Sequence, residues 1–153
     1  MNKKTIKIVS WLLFLVYIGI VTYFMFFAEI WGRTKVCNDY SYNLIPFKEI
    51  KRFIKYRKQL GMVAVATNIG GNIIGFMPFG FILPILTQKA RGLLRIFILT
   101  LNLSLFIEMI QLVSKVGCCD VDDMILNTLG GVLGYVMFYM FNALRRKIFW
   151  QEN

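Results

Sequence analysis

Histidine is missing from all 153 residues of the sequence. That removes the commonest general base and metal ligand, and any serine–histidine or cysteine–histidine nucleophile pair. Charge is scarce too: acidic and basic residues make up 17% of the chain, against about a quarter in an ordinary soluble domain. Cys37, Cys118 and Cys119 form no CxxC spacing, so neither a metal nor a cofactor is expected. No internal repeat or low-complexity tract interrupts the chain, and a single domain over 1–153 is the expectation.

Apolar side chains fill the space. They account for 58% of residues, and mean hydropathy is +0.61. They are concentrated in continuous runs, which predict spans at about 8–28, 61–87, 93–113 and 123–144. Each is near or above the roughly 20 residues that cross a bilayer core. The first exceeds the roughly 7–15 residues of a signal-peptide core and ends in no small-x-small cleavage pattern, so it is read as a retained span. The fold expected is all-α: an integral membrane bundle of four transmembrane helices, with an amphipathic interfacial helix between the first and second.

The formal net charge of +10 would suggest nucleic acid in a soluble chain. In a membrane chain, basic residues serve topology and headgroup contact, so membrane lipids are the expected partner and nucleic acid is not. Lysine and arginine near the span ends tie at nine on each side. The tie comes from the long connection 29–60 alone, and the short segments all favour cytoplasmic termini. The expected location is the cell membrane, multi-pass, with both termini cytoplasmic.

Within that connection, "PFKEIKRFIKYRKQLG" reads as a helix over about 47–59. Phe47, Ile50, Phe53, Ile54 and Leu60 fall largely on one face, and Lys48, Lys51, Arg52, Lys55 and Lys58 on the other. This is the pattern of a helix lying on anionic headgroups. Two roles stay open: an anchor leading into span two, or collection of a phosphate-bearing or otherwise anionic ligand by Lys51, Arg52 and Lys55.

Polar groups at membrane depth need a partner or a purpose. Span two carries Asn68 and Asn72 at i, i+4, the small-xxx-small pair Gly71 and Gly75, and Pro78, which predicts a kink and a freed carbonyl near residue 74. Span three carries Glu108 and Gln111 on one side. An ionised carboxylate there costs roughly 2.5 kcal/mol or more unless it faces protein or water. Glu108 is therefore either protonated or hydrogen-bonded by span two or four. Span four opens on "DVDDMILNTLGGVLGY". Asp120 suits the helix N-cap, where acids oppose the helix dipole, and Asp122 fits the same end-capping role. Asp123, Asn127 and Gly130, Gly131 and Gly134 then descend one face.

The hairpin joining spans three and four makes them antiparallel neighbours. Asn68, Asn72, Glu108, Gln111, Asp123 and Asn127 are thus expected to converge in one half of the bilayer, beside the basic segment. The cysteines share that side. A bridge from Cys37 to Cys118 or Cys119 and three free thiols are both compatible with the sequence.

Four blocks in order, "NLIPF" at 43–47, "GNIIGFMPFG" at 71–80, "IEMIQ" at 107–111 and "DVDDMILNTLGGVLGY" at 120–135, together resemble the VanZ-like family of small bacterial membrane proteins. The matching positions are Asn43, Pro46, Phe47, Asn72, Pro78, Phe79, Gly80, Glu108, Gln111, Asp120, Asp123, Asn127, Gly130, Gly131 and Gly134. One position departs from the pattern: Cys119 stands where an aromatic residue commonly precedes the first aspartate. The resemblance implies an association with low-level resistance to lipoglycopeptide antibiotics such as teicoplanin, typically in Gram-positive bacteria. It supplies no reaction.

Residues and resemblance together lead to a non-enzymatic cell-envelope factor that engages an anionic or amide-rich amphiphile at the outer leaflet. A lipid-linked wall precursor or a lipoglycopeptide fits that description, and a homo-oligomer through the glycine faces is a further expected partner. The binding set is Asn43, Asn68, Asn72, Glu108, Gln111, Asp120, Asp123, Asn127, Lys51, Arg52 and Lys55. The alternative is a small intramembrane enzyme or transporter acting on a lipid headgroup, with Glu108 as acid/base and Asp123 as its partner.

Overall fold

A computed structural model describes residues 3–27 and 40–151. Cys37, with Arg33 and Lys35, lies outside the described residues. The chain is helical almost throughout. Helix α1 covers Lys3–Phe26, α2 Lys48–Lys55, α3 Arg57–Leu60, α4 Met62–Val65, α5 Gly71–Leu86, α6 Leu93–Ser114 and α7 Val121–Gln151. Four stretches are long and apolar enough to cross a membrane: Lys7–Phe26, Met62–Leu86, Leu93–Ser114 and Val121–Lys147. They coincide with the four apolar runs of the sequence to within a few residues. The apolar surface they leave exposed, Leu12, Leu15, Val16, Leu94, Val113 and Tyr139 among it, requires hydrocarbon around it. This is a multi-pass membrane protein.

The tightest contact is between α5 and α7, and glycine makes it. A Cβ on Gly130 would strike the carbonyl of Ile73, one on Gly134 that of Met77, and one on Gly80 that of Gly131. The two backbones therefore touch directly, as small residues allow in membranes. The span-four glycines are thus occupied within the chain, whereas Gly75 on α5 faces open space. Helix α1 packs on α5 from the other side. Tyr17, Val21 and Met25 bury against Phe76, Phe79 and Ile107, and the Tyr17 hydroxyl donates to the Gly75 carbonyl at 2.9 Å.

Span two departs from a plain helix earlier than its prolines suggest. Pro78 and Pro84 sit inside α5, but the irregular segment is a π turn at Ala66–Gly70. The basic segment also differs from the single helix expected. It breaks at Tyr56 into α2 and α3, and Phe47 takes a left-handed conformation (φ 62°) at the start of α2, which is rare and strained for a bulky residue. Of its expected apolar face, Ile50 and Phe53 are half-buried, while Phe47, Ile54 and Leu60 are exposed.

One end of the bundle gathers the first and third connections. There Tyr42–Asn43 and Cys119–Asp120 pair as a two-residue parallel ladder, extended by the Cys119 N–H donating to the Ser41 carbonyl at 3.0 Å. This places the "NL" and "DV" blocks, far apart in sequence, side by side.

Candidate functional site

The three aspartates at the head of α7 divide the work. Asp120 precedes the helix, and its Oδ1 accepts from the Asp122 N–H at 2.9 Å, the N-cap arrangement expected of it. The same oxygen accepts from Asn43 Nδ2 at 2.9 Å, and Asn43 Oδ1 accepts from the Ile45 N–H at 3.3 Å. Asn43 is therefore a buried tie between the two connections. Burial pushes the Asp120 carboxyl above the usual carboxylate range, against the hydrogen bonds from Asp122 and Asn43 that pull it down.

Asp122 does something the sequence reading missed. It is 1% exposed, and its carboxylate reaches across to the start of α2. It accepts from the Phe47 N–H, from the Glu49 N–H at 2.8 Å and from the Ile50 N–H at 3.1 Å. Helix α2 has no side-chain cap of its own, so its free N–H groups are capped by an acid 73 positions away from Glu49. A sequence signal existed. "NLIPFKEI" opens a helix with no Ser, Thr, Asp or Asn next to its start, which leaves its free N–H groups to water or to an acceptor from elsewhere in the chain.

Asp123 faces the bundle. Its Oδ1 accepts from Asn72 Nδ2 at 2.6 Å, joining α7 to α5. Glu108, 1% exposed, accepts the Asp120 N–H on Oε2 at 2.9 Å, joining α6 to the head of α7. The donor is the residue just before span four rather than one within it. One turn deeper, Asn127 Nδ2 donates to Ser104 Oγ at 2.9 Å. Gln111 turns elsewhere, donating to the Met25 carbonyl at 2.9 Å and fixing the end of α1.

Glu108, Ser104 and Thr100 recur every four residues on α6, and all three are buried. Ser104 and Thr100 were missed, although i, i+4 spacing back from Glu108 marks them. With Asn72, Asp123 and Asn127 they form a polar column descending from the hairpin between α6 and α7. Four buried atoms in or beside it, Asn72 Oδ1, Asn127 Oδ1, Gln111 Oε1 and Thr100 Oγ1, have no hydrogen-bond partner among the described residues.

Two expected groups do not join this column. Asn68 falls inside the π turn, which breaks the i, i+4 alignment with Asn72, and it is only half-buried. Lys51, Arg52 and Lys55 are on the exposed side of α2. Arg52 pairs with Glu49 of its own helix at 2.7 Å, and Lys55 lies over the Tyr56 ring. Cys118 and Cys119 carry free thiols, and burial raises both above the usual thiol range.

The VanZ/LLP1 family profile matches residues 14–142, which include every residue of the acid–amide network and the basic segment. The chain belongs to the VanZ/LLP1 family. A relative, Protein VanZ of Enterococcus faecium, is 41% identical over 71 residues, 46% of this chain and 44% of that protein. The match thus spans less than half the length of that relative. No solved structure matches the chain.

Proposed function

We propose that this VanZ/LLP1 protein is a non-enzymatic factor of the Gram-positive cell envelope that lowers sensitivity to teicoplanin-type lipoglycopeptides. It does so by engaging an anionic or amide-rich amphiphile at the outer leaflet. The observation that carries this reading is the Asp122 carboxylate clamped on three backbone N–H groups of α2. A buried acid spent on fixing a short cationic helix has a purpose if the position of that helix matters. With Asp122 holding its start, α2 turns Lys48, Lys51 and Lys55 outward, and α3 adds Arg57 and Lys58. Such a patch suits phosphate or carboxylate groups at a membrane surface. With both termini cytoplasmic, the patch faces outward, where lipoglycopeptides and lipid-linked wall precursors meet the membrane.

The polar column supports this reading as a brace. Asn43 bonds to Asp120, Asn72 to Asp123 and Glu108 to the Asp120 N–H, and these bonds hold the hairpin and first connection together. Commitment of Glu108 to the Asp120 N–H favours that bracing role over acid/base chemistry.

The test is expression in a susceptible Gram-positive strain, comparing teicoplanin with vancomycin. Reduced sensitivity to teicoplanin, lost when Lys51, Arg52 and Lys55 are changed to Gln, is expected. Equal teicoplanin sensitivity with and without the protein would reject the reading.

A further inference from the structure

Between α1 and the α4–α5 span runs an apolar groove of about 830 Å³. Along α1 it extends from Leu13 to Met25, roughly 18 Å at 1.5 Å per residue, more than half of a hydrocarbon core about 30 Å thick. Val16, Ile20, Val63 and Ile74 on its walls are exposed, so it opens sideways to lipid. The groove offers a ligand almost nothing polar. Its two hydroxyls are already committed, Tyr17 to the Gly75 carbonyl and Thr67 to the Val63 carbonyl at 2.8 Å. Gly75 leaves its floor bare, with no atom within 4 Å of where a Cβ would stand.

We propose that this groove holds an acyl chain of an anionic membrane lipid, whose phosphate headgroup rests on the cations of residues 48–58. The inference builds on the reading of the basic segment as an anion-binding surface and adds the seat of the lipid tail. Shape and charge both select this occupant. A spanning helix about 10 Å across and 30 Å long takes up roughly 2,400 Å³, far more than the groove contains, whereas a single hydrocarbon chain is long, thin and apolar throughout. At the upper end the lining begins with Val63 and Ala66; exposed Lys58, Arg57 and Lys55 precede Val63 by about two turns of helix or less along the chain. A chain in the groove therefore ends beside cations, which suits a phosphate headgroup.

The purified protein is placed in nanodiscs of equal phosphatidylglycerol and phosphatidylcholine, with a photoreactive diazirine on the acyl chain of one or the other. Labelled positions are read by peptide mass spectrometry. Labelling by the phosphatidylglycerol probe is expected to concentrate on 13–25 and 63–82, and to fall by about tenfold in Gly75→Leu, whose Cβ has open space around it and whose side chain extends into the groove. Gly19→Leu, equally free of neighbours but absent from the groove lining, keeps the wild-type pattern. Ala66→Leu fills the groove from an exposed position and decides the matter should Gly75→Leu not fold. Changing Lys55, Arg57 and Lys58 to Gln brings labelling by the two lipids to equality.

Even labelling of all four spans, or indifference to both groove-filling variants, would overturn the proposal. No antibiotic is involved, so loss of the resistance reading leaves this measurement unaffected. Unchanged acyl labelling with no lipid preference in the wild type would overturn the headgroup half.

Discussion

Single side chains set the chemistry of the connection end. Glu108 accepts the Asp120 N–H in a buried site, so Glu108→Gln, which keeps an oxygen to accept it, should leave folded yield and melting in detergent near wild type. Glu108→Leu orphans the Asp120 N–H and should cost about 1–3 kcal/mol. A catalytic carboxylate would leave the glutamine variant equally folded but inactive, so retained teicoplanin protection in Glu108→Gln separates the brace from acid/base chemistry. Asp120 adds a pH signature. Burial raises its carboxyl above 3.8, so the folded chain holds that proton more tightly than the unfolded one. Its contribution to stability is complete below the ordinary carboxylate value and is lost as pH rises through the raised one. Unfolding followed as pH rises from the ordinary carboxylate range toward neutrality should show a smaller fall in Asp120→Asn than in wild type. Much of this was legible in the sequence: Glu108, Asp123 and Asn72 stood out as polar groups in apolar runs. Asp122 did not, because its partners are backbone N–H groups 72 to 75 positions away, and backbone demand leaves only a faint trace in side-chain identity.

Helices and turns show where small residues matter. Gly75 and Gly80 lie on the same helix, yet one faces open space and the other the Gly131 carbonyl. Gly75→Ala should therefore be neutral or stabilising by up to about 1 kcal/mol, the ordinary helix preference for alanine. Gly80→Ala forces α5 and α7 apart and should destabilise by about 1–3 kcal/mol or more. Thermal unfolding of both in one detergent makes the comparison. The four spans were readable because length and apolarity alone specify a bilayer crossing. The π turn at Ala66–Gly70 was not, since it shifts backbone hydrogen bonding within a run whose composition suits an α-helix equally well. The break at Tyr56 escaped for a similar reason: the amphipathic pattern continues across it.

The whole molecule is a bundle braced at one end. Parallel pairing of 42–43 with 119–120 and the acid–amide network bind the first connection to the α6–α7 hairpin. The cationic helices thereby become part of the bundle's surface rather than a loose linker. Alternation of the spans indicated that the first and third connections share a side, but their direct pairing emerges only from the fold. Burial holds the Cys118 and Cys119 thiols above their usual range. In a Cys37→Ser background they should resist alkylation at neutral pH and react only as the solution becomes alkaline, which mass spectrometry after iodoacetamide treatment would show.

Hydrogen exchange at the amides of Phe47, Glu49 and Ile50 tests the brace most directly. Protection is expected in the wild-type protein and should disappear in Asp122→Ala, while the amides of α6 remain protected in both. Rapid exchange of those three amides in the wild type, or protection untouched by loss of the Asp122 carboxylate, would contradict the claim that a buried acid fixes the basic helix to the bundle.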